Sequence, residues 1–277
     1  MRGSMAVLVV LSSAGLAHAG TELDPRISLV RATGFDPAAQ PGAEAKPEAP
    51  KAELSFWEGW KRNVDFGLNG SDGNSQTLNV RLAVGAERKS DRLETKAGVS
   101  YVVARDDNRT TKSRGEGFIF NNWLFGADSR WGLFGQAKAE YDEFQAWDWR
   151  LSGAFGPSYM IIKQEDTTLR GRVGVAFSYE TGGELQDEKV SPELDLGLDF
   201  AHTFKEGHKL FANADYYPSL DEFPAYRAVA QAGYEILLSK ENNLVLKLGL
   251  QDRYDSTPGV GFRRNDLEYF VTLSFNF

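Results

Sequence analysis

Past Trp60 the chain alternates apolar and polar positions with a period of two, the mark of a half-buried strand and not of a helix. Leu78, Val80, Leu82 and Val84 oppose Asn79, Arg81, Gly85 and Glu87, and Leu93, Val99, Tyr101 and Val103 oppose Glu94, Lys96, Gly98 and Ser100. Farther on, Trp149, Leu151, Phe155 and Tyr159 face away from Arg150, Ser152, Gly156 and Ser158. Val173, Val175, Phe177 and Tyr179 stand against Arg172, Gly174, Ser178 and Glu180, and Leu194, Leu196 and Leu198 against Glu193, Asp195 and Asp199. Leu244, Leu246, Leu248 and Leu250 oppose Lys247, Gly249 and Arg253, and the last run sets Leu267 through Phe277 at every second place against Glu268, Thr272, Ser274 and Asn276. One stretch, 116–126, gives no register, because both of its faces are apolar.

The connections alternate too. Tight polar gaps at 89–91, 127–130, 164–167, 205–208 and 239–242 take turns with longer ones at 70–76, 105–113, 143–146, 181–191, 219–224 and 256–262. Eleven connections join twelve strands, an even number, so both ends of the domain fall on one side. The pattern predicts an all-β fold: a closed, antiparallel, up-and-down transmembrane barrel of about 12 strands. From Lys61 to Phe277 there are about 18 residues per strand and connection, against roughly 9–11 needed to cross a bilayer.

A soluble sandwich or closed soluble barrel would also alternate, but its polar face would look outward and be chosen freely. Here that face is crowded with Gly, Ala and Ser among charges of both signs, as a confined lumen requires. The predicted lumen-lining residues are Arg81, Glu87, Glu94, Lys96, Lys138, Glu140, Asp142, Arg150, Arg170, Arg172, Glu180, Asp195, Asp199, Asp215, Arg227, Glu235, Lys247, Arg253 and Glu268. Their signs nearly balance, so neither an anion nor a cation filter is expected. Aromatics near strand ends predict a belt at the headgroup level: Trp57, Trp60, Trp131, Trp147, Trp149, Tyr179, Tyr217, Tyr226 and Tyr254. In a closed barrel the last strand pairs with the first, and Tyr269, Val271, Leu273, Phe275 and Phe277 resemble the signal read by the barrel-assembly machinery.

The first residues hold Arg2, an apolar run from Met5 to about Leu16, and Ala17-His18-Ala19. This reads as a signal peptide over 1–19, too short to span a membrane as a helix. Residues 20–56, rich in Pro, Ala and Glu, read as a disordered periplasmic leader, and 57–277 as the barrel. The expected location is therefore the outer membrane, with outer-membrane lipid and lipopolysaccharide as surroundings. With 31 Lys and Arg against 39 Asp and Glu, and a formal charge of −8, nothing invites nucleic acid. The absence of cysteine excludes disulfides, thiolate metal sites and lipid attachment through Cys. His202 and His208 flank a turn on the predicted periplasmic rim, so no catalytic residues, metal or cofactor are expected. The acidic groups at Asp106-Asp107, Asp142-Glu143 with Asp148, and Asp221-Glu222 read as solvated loop charges.

Two stretches carry a family resemblance: Val64 to Arg92, with its Gly73-Asn74-Ser75 turn, and Trp131 to Ile162, with Leu133-Phe134-Gly135, Tyr141, Phe144, Asp148 and Arg150. They resemble the YdiY-like family, domain of unknown function 481, salt-induced outer-membrane proteins. Trp147 and Trp149 stand where that family more usually has Tyr, and the Pro/Ala leader is unusually long. The resemblance implies an outer-membrane location and brings no established activity. The expected function is non-enzymatic: a narrow pore for small polar solutes, or an envelope-integrity barrel under salt stress. A plugged barrel acting as a surface adhesin and a loop-side hydrolase are the alternatives.

Overall fold

The computed structural model describes residues 58–72, 77–106, 109–185 and 188–277. The signal peptide, the leader and Trp57 lie outside the described residues. Twelve strands follow in order: β1 (Trp60–Asp72), β2 (Thr77–Lys89), β3 (Leu93–Asp106), β4 (Arg109–Leu124), β5 (Trp131–Asp142) and β6 (Trp149–Lys163), then β7 (Thr167–Thr181), β8 (Lys189–Lys205), β9 (His208–Pro218), β10 (Tyr226–Ser239), β11 (Leu244–Asp255) and β12 (Asn265–Asn276). Each pairs antiparallel with its chain neighbours, and β12 closes on β1. Val64 faces Phe275 and Phe66 faces Leu273 across that seam, while Arg62 and Phe277 exchange two backbone hydrogen bonds of 2.9 Å. Closure leaves no row of unpaired N–H and C=O groups, which neither lipid nor an open edge would tolerate.

The distribution of side chains is inverted relative to a water-soluble domain. Among the described residues eight apolar side chains are buried against seventeen polar or charged ones, while Val99, Val175 and Phe177 are 66%, 62% and 58% exposed. Each such side chain left in water would forgo roughly 1.5–3 kcal/mol, so the exterior requires an apolar solvent. The alternating Leu, Val and Phe positions read from the sequence do face outward, and no second layer covers them.

One sequence expectation is corrected, and one register left open is fixed. Residues 105–113 do not form a long loop: β3 and β4 run on to Asp106 and Arg109, which pair with each other, and Lys112 and Arg114 face into the barrel. The ambiguous stretch 116–126 acquires a register through Val99↔Gly117 and Ala97↔Ile119. Ile119 and Trp123 share the outer face with Phe125 just beyond β4, while Phe118 and Phe120 share the inward parity of Glu116 and Asn122.

The small residues of the inner face prove to be seats for rings. A Cβ on Gly249 would stand 2.3 Å from the Phe270 ring, and one on Gly174 would meet Phe134 at 2.8 Å. A glycine permits a ring to lie flat on the wall there, and the lumen fills with aromatic as well as charged matter.

Candidate functional site: the charged lumen

All nineteen predicted lumen-lining residues lie on the inward parity of their strands, opposite the exposed apolar positions. The structure brings many of them together, and it adds Asp65, Lys112, Arg114, Glu116, Gln136 and Glu193, which the sequence reading left out.

The first cluster lies toward the long-loop rim. Glu268, 2% exposed, meets Lys112 at 3.3 Å, Arg253 at 3.3 Å and Arg81 at 3.8 Å. Arg253 also reaches Glu116 at 3.6 Å, and Lys138 joins Glu116 (3.2 Å) to Glu140 (3.1 Å). Arg114 lies 3.3 Å from Glu140 and 3.8 Å from Asp142, whose other oxygen accepts the Phe144 N–H at 3.0 Å. Asp142 is thus a buried lumen group and not a solvated loop charge. Nearby, Arg150 binds Glu180 at 2.5 Å and approaches Asp255 at 3.7 Å, and Arg227 grips Glu193 through two bonds of 2.9 and 2.6 Å.

The second cluster is built on Arg172 of β7. Its Nε donates to Asp199 at 3.0 Å and its Nη2 to Asp215 at 2.6 Å, with Asp195 at 3.6 Å. Its guanidinium lies over the Phe120 and Phe134 rings, 5.5 and 5.4 Å from their centroids, and a Cβ on Gly197 would stand 2.6 Å from it. Gln136 donates to Asp195 at 2.7 Å and to the Tyr217 hydroxyl at 3.3 Å. Three carboxylates around one guanidinium leave this side of the lumen locally anionic.

These contacts cross the barrel. Lys112–Glu268 and Arg170–Glu94 join strands four places apart around the wall; Arg253–Glu116 and Arg150–Asp255 join strands five apart. A circular barrel of twelve strands, spaced about 4.8 Å and tilted about 40°, would hold the backbones of strands four and five places apart roughly 21 and 23 Å from each other. An Arg and a carboxylate in contact reach only about 15 Å. The wall is therefore pressed inward, and the lumen is a slot bridged by ion pairs. Toward the short-turn rim it is wetter: Lys96 is exposed, Phe118 is 42% exposed, and Asp65 meets Lys247 at 3.1 Å in a half-buried pair.

The outer face carries two bands of aromatics. At the short-turn rim Trp131 packs on Tyr159 with centroids 4.7 Å apart. Toward the long loops Tyr141 packs on Trp149 (5.2 Å), and Tyr226 joins Tyr216 (5.2 Å) to Tyr254 (5.4 Å). Trp60 and Tyr179 are half-buried on the same exterior. Trp147 and Tyr217 do not belong to the belt. Trp147, in the β5–β6 connection itself, is 5% exposed, with the Arg150 guanidinium 4.3 Å from its ring. Tyr217 points inward because Arg227↔Tyr217 pairing sets its parity, which gives its predicted place to Tyr216. His202 and His208 sit at the short-turn rim, bonded to Thr167 (2.7 Å) and Tyr234 (3.1 Å). Tyr269, Val271, Leu273, Phe275 and Phe277 all lie exposed along one face of β12 and its end.

A closed antiparallel sheet with an apolar exterior and a charged, hydrogen-bonded interior defines the transmembrane β-barrel class. Within that class the chain belongs to the family described as Protein of unknown function, DUF481, which matches residues 64–277. No curated protein matches the chain. Among solved structures it is similar to the KdgM porin in complex with disordered oligogalacturonate, at 12% identity and a TM-score of 0.42, over 78% of this chain and 99% of that one. It is similar to the NanC porin at 10% identity and a TM-score of 0.46, over 76% and 98% of the two chains. The translocator domain of autotransporter NalP from Neisseria meningitidis matches at 12% identity and a TM-score of 0.40, over 79% and 88%. These are likenesses of fold alone.

Proposed function

We propose that the protein is an integral outer-membrane barrel whose lumen is closed toward the long-loop rim by its own side chains, a wall-stiffening element of the envelope and not an open porin. The observation that carries this reading is the set of ion pairs joining strands four and five apart, with Arg253–Glu116 at 3.6 Å and Lys112–Glu268 at 3.3 Å. Lys112, Arg114, Glu140, Asp142 and Glu268 are held 2–8% exposed, Arg253 and Glu116 are partly buried beside them, and all are opposed by partners, so a passing solute is offered no free site. Breaking a buried pair to admit one would leave a charge uncompensated, at a cost of about 3–5 kcal/mol.

Full-length protein inserted in a planar bilayer is expected to give no resolvable conductance steps in molar KCl. Steps in the wild type would overturn the closed reading and favour a narrow pore. Replacing Arg253 and Glu116 together with Ala removes one of the two bridges between strands five apart and should produce small steps. The reading assigns no catalysis: His202 and His208 hydrogen-bond to neighbouring strands at the membrane rim, not in a cleft. An envelope role under salt stress is the physiological side of the proposal, supported by the family resemblance. A deletion strain that grew normally in high salt would count against it.

A further inference from the structure

The outer wall is not uniform. Across β6 to β9 a groove of about 490 Å³ is sunk into the exterior, within the roughly 300–1,000 Å³ typical of sites for one small ligand. Its floor is low because Gly171 and Ala214 stand where neighbouring positions carry large side chains, and its walls are Ile161, Tyr159, Leu198 and Tyr216. Pro157 lies in it as well, where the β6–β7 ladder lacks pairs between Phe155↔Val175 and Ser158↔Arg172 with the register unchanged. A proline has no N–H for the ladder, so the wall there is shaped by its ring and by the glycines packed behind it.

The groove's lower end meets a polar rim of mixed charge. Trp131 and Tyr159 form the aromatic pair at that level, and immediately below are Arg130 and Lys163, both exposed. Arg130 Nη1 donates to the carbonyls of Met160 and Ile161, at 3.1 and 3.0 Å, which fixes its guanidinium under the groove. The same turns carry Asp128, Glu165 and Asp166, all exposed, and Asp128 approaches Lys163 only to 3.9 Å. Cations next to carboxylates beneath a hydrocarbon channel are complementary to a lipid whose head bears a phosphate and an amine.

We propose that this groove holds one acyl chain of a zwitterionic glycerophospholipid of the periplasmic leaflet, its phosphate against Arg130 and Lys163 and its ammonium toward Asp128, Glu165 and Asp166. The proposal rests on the membrane reading above. The apolar walls take the chain by the dispersion and shape fit that an empty groove forfeits. The aromatic pair sits at the ester level, where one edge of each ring is apolar and the other wet.

The test is native mass spectrometry of the full chain in mild detergent with added phosphatidylethanolamine or phosphatidylglycerol. One phosphatidylethanolamine should stay bound under activation that strips loosely held lipid, and several-fold more of it than of phosphatidylglycerol. Gly171→Leu fills the floor and should lower retention by about tenfold, equivalent to about 1.4 kcal/mol. Lys163→Glu should weaken it as well, while Val175→Leu, outward on the same strand but outside the groove, should not. No retained lipid, equal retention in Gly171→Leu, a preference for phosphatidylglycerol, or a lipid-free dimer (a second copy seated on the groove) would each overturn the proposal. Failure of the membrane reading would be distinct: such a protein would not fractionate with membranes or show heat-modifiable migration.

Discussion

At the scale of single residues, Glu268 shows how much the interior depends on pairing. Three cations, Lys112, Arg253 and Arg81, converge on a carboxylate that is almost wholly buried. Glu268→Gln leaves them facing one another, and the expected loss is about 3–5 kcal/mol, read as a lowered urea midpoint of the refolded barrel. The matching change at an exposed pair, Glu206→Gln beside Lys240, should stay within about 1 kcal/mol, because solvent already screens it. Arg81, Arg253 and Glu268 were legible as inward from parity alone. Lys112 was not: the run Arg105 to Ser113 has no apolar alternation, and only pairing with β3 shows it to be strand. Nor does sequence tell that Arg172 faces three aspartates, since Asp195, Asp199 and Asp215 come from two other strands.

At the scale of the strand, parity decides everything, because a slip of one residue exchanges the two faces. Val175→Arg places a charge on the outer face of β7 and should cost about 2–4 kcal/mol if it falls near the bilayer midplane, measured by refolding into lipid vesicles. Where one face is plainly polar, as in β7 and β12, the sequence suffices. It fails at 116–126, whose inner face carries Phe118 and Phe120 seated on a wall of small residues, so that both faces read as apolar. It fails also at Tyr216-Tyr217, where two identical residues compete for the belt and the β9–β10 register settles which one faces out.

At the scale of the whole molecule, closure rests on the β1–β12 seam, with Phe277 bonded to Arg62 at its end. Removing Phe277 deletes two backbone bonds, a loss of about 1–3 kcal/mol in refolded protein. If the terminal aromatic is also an assembly signal, the yield of folded barrel in cells should fall much further than that change explains, as counted by heat-modifiable migration on gels. A proportionate fall would assign Phe277 a purely structural part. The cross-section is a property of this scale alone, set by ion pairs between strands four and five places apart.

The order and direction of the strands, the side turned to lipid and the charged character of the inside follow from the sequence, because period-two patterning and connection length are local properties of the chain. Which charge meets which, how nearly the lumen is sealed and where the exterior is grooved follow only from the tertiary structure. Those features join residues separated by up to 187 positions, as Arg81 and Glu268 are, and such distances are set by closing the sheet.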